Sequence, residues 1–207
     1  MELDALLAEL EQRLRPAGPA KAGSDELPPW RPPQETFVAD AAARLALFVT
    51  RACEGNATVE ALPGRAALEP AVLQLLDSRG WHSMVCAAGL RTPAFEALIG
   101  APPATADFGL CEPIAAVAET GAVLLSHDAS NPRGVSLLPP AIGFVVPASC
   151  VVSRITDAME LLDAHGTDLP SCVTFVRGPS RSADIGSTTC FGAHGPGLVW
   201  VWVVEGE

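Results

Sequence analysis

Apolar and polar positions along this chain follow two rhythms, one of period near 3.6 and one of short continuous apolar runs. The helical rhythm appears first in residues 1–15, where leucines fall at 3, 6, 7, 10 and 14. It returns over Phe37–Glu54, with Phe37, Ala41, Leu45, Phe48 and Ala52 on one face and Gly55-Asn56 as a stop. Ala66–Arg79 reads as a helix with Val72, Leu73 and Leu76 inward and Gly80 closing it. Pro93–Ile99 is a short helix, and Ser153–Ala164 a longer one with Ile155, Met159 and Leu162 on one side. Between them lie strand signals at Thr58–Ala61, Trp81–Ala87, Ile114–Glu119, Ala122–Ser126, Ala141–Val146, Cys172–Arg177 and Leu198–Glu205. Thr120-Gly121 predicts a hairpin between two of these. Strands separated by helices predict an α/β fold with a layered, mostly parallel sheet, which the last two strands close.

Residues 16–35 break both rhythms with six prolines and two glycines. They read as a linker or extended arm anchored by Trp30. The expected organisation is therefore an N-terminal helix and proline-rich arm over residues 1–35, then an α/β domain over residues 36–207. The chain is 49% hydrophobic and 18% charged, enough apolar material for a sizeable core. Its net charge of −11 argues against nucleic-acid binding, because a polyanion would be repelled. The longest apolar runs, such as Leu198–Val204, are far short of the roughly 20 residues that span a bilayer. The start, Met-Glu-Leu-Asp, is acidic where a secretory leader is basic, so a cytoplasmic protein is expected. None of the six cysteines forms a Cys-x-x-Cys pair. Free thiols are expected, with no metal or iron–sulfur site and no cofactor in this chain.

The polar groups of the C-terminal third gather in two turns. Gly178-Pro179-Ser180-Arg181-Ser182-Ala183-Asp184-Ile185 follows one strand, and Gly192-Ala193-His194-Gly195-Pro196 precedes the last. A strand followed by such a turn and a short helical stretch presents backbone N–H groups to an anion. Ser180 or Ser182 would cap that helix, Arg181 would pair with a carboxylate or phosphate, and Asp184 would orient a hydroxyl or amine. The plainer alternative is two tight connections, with Asp184 and His194 bridging loops. Glu119, in the hairpin turn with Thr120 and Gly121, is either a base or nucleophile or a solvent-facing turn residue. Asp107 suits a capping role. His127 and Asp128 are neighbours whose side chains point opposite ways on an extended chain, which speaks against a general-base pair. No Walker loop, Gly-x-Gly-x-x-Gly or Gly-x-Ser-x-Gly elbow is present.

Four ordered segments resemble the LUD-domain family, the lactate utilization protein C group. They are Ala106-Asp-Phe-Gly-Leu-Cys-Glu-Pro-Ile114, Ala118-Glu-Thr-Gly-Ala-Val-Leu-Leu125, Ser136-Leu-Leu-Pro-Pro140, and the paired C-terminal turns. Gly186 departs from the pattern, standing where family members more often carry an acidic residue. The resemblance implies an architecture similar to the CoA-transferase and ribose-5-phosphate-isomerase group, with ligands at the strand ends. It implies a component of a cytoplasmic L-lactate oxidation system, binding a small anion beside iron–sulfur partner proteins that carry the electrons. The alternative is a stand-alone enzyme of acyl or CoA transfer, or of sugar-phosphate isomerisation, with Glu119 or Asp184 as base. On either reading Glu119, Thr120, Gly121, Gly178–Ser182, Asp184, His194 and Gly195 are expected to converge on one cleft at the carboxyl edge of the sheet.

Overall fold

The computed structural model describes residues 37–163, 170–183, 189–192 and 194–206. The expected N-terminal helix and arm, and Asp184, lie outside them. Five parallel strands form the main sheet in the order β1-β11-β6-β3-β2. They are β1 (Thr58–Leu62), β2 (Met84–Cys86), β3 (Phe108–Cys111), β6 (Ala141–Pro147) and β11 (Leu198–Val204). A second sheet has the order β7-β4-β5-β8. Its strands are β4 (Ala115–Val117), β5 (Ala122–His127), β7 (Val151–Val152) and β8 (Cys172–Val176). The mainly parallel α/β class is as expected from sequence. The single sheet is not, since β8 and β11 belong to different sheets.

Side-chain alternation explains the layering. Along β11, Val199, Val201 and Val203 enter one apolar cluster, while Trp200, Trp202 and Val204 enter another on the opposite face. A central parallel strand buried on both faces needs such a continuous apolar run. The first cluster fills the space between the sheets, where Ile142, Phe144 and Val146 of β6 meet Val123 and Leu125 of β5. Helix α1 (Ala41–Glu54) seals it with Phe48 and Ala52. The second cluster packs the outer face of the main sheet against α2 (Leu68–Arg79) through Val72 and Leu76. A third lies on the far side of the second sheet, where Ala115, Val117 and Leu124 meet Ala158 and Leu162 of α5 (Ile155–Asp163). Each fully buried Val, Leu or Phe contributes roughly 1.5–3 kcal/mol.

Several elements differ from their sequence signal. Helix α1 starts at Ala41 because Asp40 caps it, its carboxylate accepting from the Ala43 amide at 2.7 Å. Phe37, expected on the inner face, is 64% exposed and lies under the Arg154 guanidinium. On α5 the buried face is Ala158 and Leu162, leaving Ile155 and Met159 substantially exposed. Only Met84–Cys86 of the expected Trp81–Ala87 strand pairs; Trp81 stacks on Phe108 instead. The stretch after Ser180, expected to be helical, is β9 (Arg181–Ala183), paired antiparallel with β10 (Thr189–Phe191). Among the described residues no helix is present there for Ser180 or Ser182 to cap.

Asp107 fixes the entry to β3. Its Oδ2 accepts from the His82 and Ser83 amides and the Ser83 hydroxyl, at 3.0, 3.0 and 2.8 Å. Partial burial pushes this carboxyl up, but those bonds outweigh it and hold its pKa below the usual value. A depressed carboxyl contributes stability above its unfolded pKa, and that stability is lost as pH falls through the folded value. Asp107→Asn is therefore expected to cost about 1 kcal/mol at pH 7. The gap to wild type should narrow as pH falls below the ordinary carboxylate value toward the folded one. Urea unfolding at pH 7 and near pH 3 checks this, and a gap independent of pH would contradict it.

Candidate functional site

Ser180 joins the two C-terminal turns. Its amide donates to the Pro196 carbonyl at 2.8 Å, its carbonyl accepts from the Gly192 amide at 2.9 Å, and its Oγ accepts from the His194 amide at 3.2 Å. The segments that sequence pointed to are thus held together by hydrogen bonds centred on one residue.

The joined turns border a cleft of about 250 Å³. Its floor is Ile142 and Val199, one wall is Thr174–Val176 of β8, and Ser136 and Leu137 of α4 (Arg133–Leu137) close another side. Arg177, Gly178, Pro179, Ser180, His194, Gly195 and Pro196 form the rim. Among the described lining residues the ionisable side chains are Arg177 and His194, and none is a carboxylate. Both are exposed. In a chain of net charge −11, the described border of this cleft carries one guanidinium and no carboxylate. Thr174 and Ser136 add hydroxyls, the latter buried and donating to the Arg133 carbonyl at 3.0 Å.

The cleft sits at the carboxyl end of β8 but at the amino ends of β6 and β11, near Val199 and Ile142. The carboxyl edge of a single sheet is therefore the wrong description, because the two sheets contribute opposite strand ends. The Ser180 amide is also committed to Pro196, which removes one of the donors expected to face an anion. Arg181 is exposed at the start of β9 and opposite Phe191; Ser182 pairs with Cys190 in the same ribbon.

Glu119, Thr120 and Gly121 do not line this cleft. The β4–β5 hairpin forms as expected, with Val117 opposite Ala122. Strand β5 lies between β4 and β8 and pairs with both. Glu119 Oε1 accepts from the Ile155 amide at 2.7 Å, satisfying the first turn of α5. Thr120 Oγ1 accepts from the Ala122 amide at 3.2 Å, inside its own turn. Gly121 has φ +70°, and a Cβ there would overlap the Ala52 amide nitrogen and the Arg51 carbonyl of α1. Gly178, at φ +63°, is pressed on the Gly55 carbonyl at the end of the same helix. Both motif glycines thus dock on the C-terminal turn of α1, a shared role that sequence did not suggest.

The His127–Asp128 pair diverges as its spacing predicts. Asp128 is exposed and accepts from the Ser130 hydroxyl and the Ser130 and Asn131 amides, which lower its pKa. His127 is buried, with Nδ1 against the Asn131 carbonyl at 3.3 Å. Among the described residues no group of three His, Cys, Asp or Glu side chains has metal-binding geometry. Burial pushes the thiols of Cys111 and Cys150 up to about 12. Among the described residues no helix is long and apolar enough to cross a membrane.

The fold and the joined turns define a layered α/β protein with a small cleft between its sheets. Residues 101–204, just over half of the chain, match the LUD domain, and the chain belongs to the LUD-domain family. It is 44% identical over 94 residues to lactate utilization protein C 1 of Bacillus mycoides (strain KBAB4), covering 44% of this chain and 40% of that protein. It is 40% identical over 103 residues to lactate utilization protein C of Oceanobacillus iheyensis, covering 48% and 44% of the two chains. The chain thus spans less than half the length of these curated relatives. Its fold is similar to the crystal structure of a DUF162 family protein from Deinococcus radiodurans. The TM-score is 0.62 at 24% identity, over 82% of this chain and 100% of that one.

Proposed function

We propose that this chain is a component of a cytoplasmic L-lactate oxidation system that binds a small carboxylate in the Ser180 cleft. The observation that carries this reading is the cleft itself: Arg177 and His194 on its rim and no carboxylate among its described lining residues. The similarity to proteins named lactate utilization protein C supplies the substrate class. A volume of about 250 Å³ suits a three-carbon acid and is too small for an entire coenzyme A. Arg177 would take the carboxylate, His194 would add a hydrogen bond, and Thr174 would meet a hydroxyl or keto oxygen. Asp184, outside the described residues, is the proposed orienting carboxylate.

The stand-alone transferase or isomerase reading needs a base near the ligand. Glu119 is bound to the Ile155 amide and does not line the cleft, which favours binding over that chemistry. Electron transfer is assigned to iron–sulfur partner proteins, because Cys53, Cys86, Cys111, Cys150 and Cys172 are scattered free thiols here. Protein purified anaerobically should show no visible iron–sulfur absorbance and no acid-labile sulfide. A brown preparation would overturn that assignment.

Calorimetric titration of the full chain with L-lactate, pyruvate and inorganic phosphate tests the ligand class. Saturable binding of one of the two carboxylates is expected. No saturation by either would defeat the reading, and preference for phosphate would move the site to a phosphorylated substrate.

A further inference from the structure

A second cleft, of about 310 Å³, lies at the carboxyl end of β2. It is separate from the Ser180 cleft and shares no lining residue with it. Its walls are apolar, built by Val85, Ile99, Pro103, Pro132 and Val135. Ligands of open α/β sheets bind outside the carboxyl ends of the strands, where β2 puts this one. A mostly apolar cavity with a few convergent polar groups is the usual form of a small-molecule site.

Among the described lining residues only Arg91 carries charge. The Cys86 thiol stays protonated: burial pushes it to about 11, against the nearby Arg91 cation, which draws it down. Ser130 contributes a hydroxyl that donates to Asp128 at 2.6 Å and so adds no charge. Arg91 is held in place from two sides. The Ala88 amide donates to the Ser130 carbonyl at 2.8 Å, tying its turn to the 128–132 loop, and Thr92 caps the short helix α3 (Pro93–Glu96) that follows. One guanidinium nitrogen meets Glu96 at 3.1 Å, with both side chains about half exposed. An exposed pair of that kind is weak, and the guanidinium fork has further donors to offer.

We propose that this cleft binds a small amphiphilic monoanion, a carboxylate with a short apolar tail. The tail lies on Val85, Ile99, Pro132 and Val135, and the carboxylate meets Arg91. An acidic chain would repel such a ligand elsewhere, so the single cation beside an apolar cavity sets both its orientation and its sign preference. The proposal does not depend on the function assigned to the Ser180 cleft.

Octanoate is the probe, with octylamine of the same length as the reversed-charge control, each titrated calorimetrically into the full chain. One saturable site for octanoate is expected, with a negative heat-capacity change from apolar burial. Octylamine should bind at least tenfold more weakly. Arg91→Gln should weaken octanoate at least tenfold. Ala129→Trp, at an exposed lining position, should plug the cleft and remove binding. Arg177→Gln should leave octanoate affinity unchanged. Equal binding of octylamine would overturn the charge assignment, and octanoate binding indifferent to Arg91→Gln would overturn the site. Loss on Arg177→Gln alone would place octanoate in the other cleft and likewise overturn the proposal.

Discussion

Gly121→Ala is expected to destabilise the domain by about 3–4 kcal/mol, near the top of the range for a single methyl group. Two costs combine. Gly121 adopts φ +70°, a left-handed conformation that costs an L-residue about 1–2 kcal/mol. The added Cβ would also overlap backbone atoms of Arg51 and Ala52 in α1, which cannot rotate aside as a side chain would. Forcing α1 outward opens the cluster where Phe48 and Ala52 are buried, and such overpacking costs a further 1–3 kcal/mol or so. Gly80 supplies an internal control. It has φ +65°, but a Cβ there meets nothing within 4 Å. Gly80→Ala should therefore cost only the conformational share, about 1 kcal/mol. Urea unfolding of both variants measures the difference. Equal costs would show that the Glu-Thr-Gly turn does not hold α1.

Replacing Arg177 with glutamine and His194 with alanine together is expected to lower affinity for L-lactate or pyruvate at least a hundredfold. Hydrogen bonds to a charged group are worth roughly 1.5–3 kcal/mol each, and a hundredfold corresponds to about 2.7 kcal/mol. Both side chains are exposed. The bonds joining the turns use the His194 amide and the Ser180 backbone and hydroxyl, none of which is changed. Thermal stability should therefore stay close to wild type while binding is lost. Undiminished affinity in the folded double variant would remove the Ser180 cleft as the carboxylate site. Octanoate binding through Arg91 would be unaffected, so the two clefts are tested separately.

Local pattern was a good guide where one segment decides its own structure. Helix α2 ends at Gly80 as its pattern indicated, since the left-handed cap is a property of that residue. The β4–β5 hairpin follows from Thr120-Gly121 and the apolar runs on either side. The pattern misled where neighbours in space decide. Phe108–Cys111 is absent from the strand signals, yet it is a strand, and the Val135 carbonyl lies where a Cβ on Gly109 would be. Ile155 and Met159 carry the right helical spacing for burial, but the second sheet meets the face of Ala158 and Leu162. The Ser-Ala-Asp stretch suits a helix start, and Arg181–Ala183 becomes a strand because Thr189–Phe191 is available to pair with it.

The same division runs through the site. Sequence by itself determined the mainly parallel α/β class, the family, and the two polar turns, because apolar periodicity and ordered motifs are written in neighbouring residues. Tertiary structure alone decided that β8 and β11 enter different sheets, since strand partnership depends on register with residues far along the chain. That separation opens the cleft between the sheets, brings Ser180 against His194 and Pro196, and turns Glu119 toward α5. It also gives Gly121 and Gly178 a common task against α1. A missing Cβ has meaning only when the atom that replaces it is known, and that atom lies about 70 or 120 residues away in the sequence, too far for any local pattern to register.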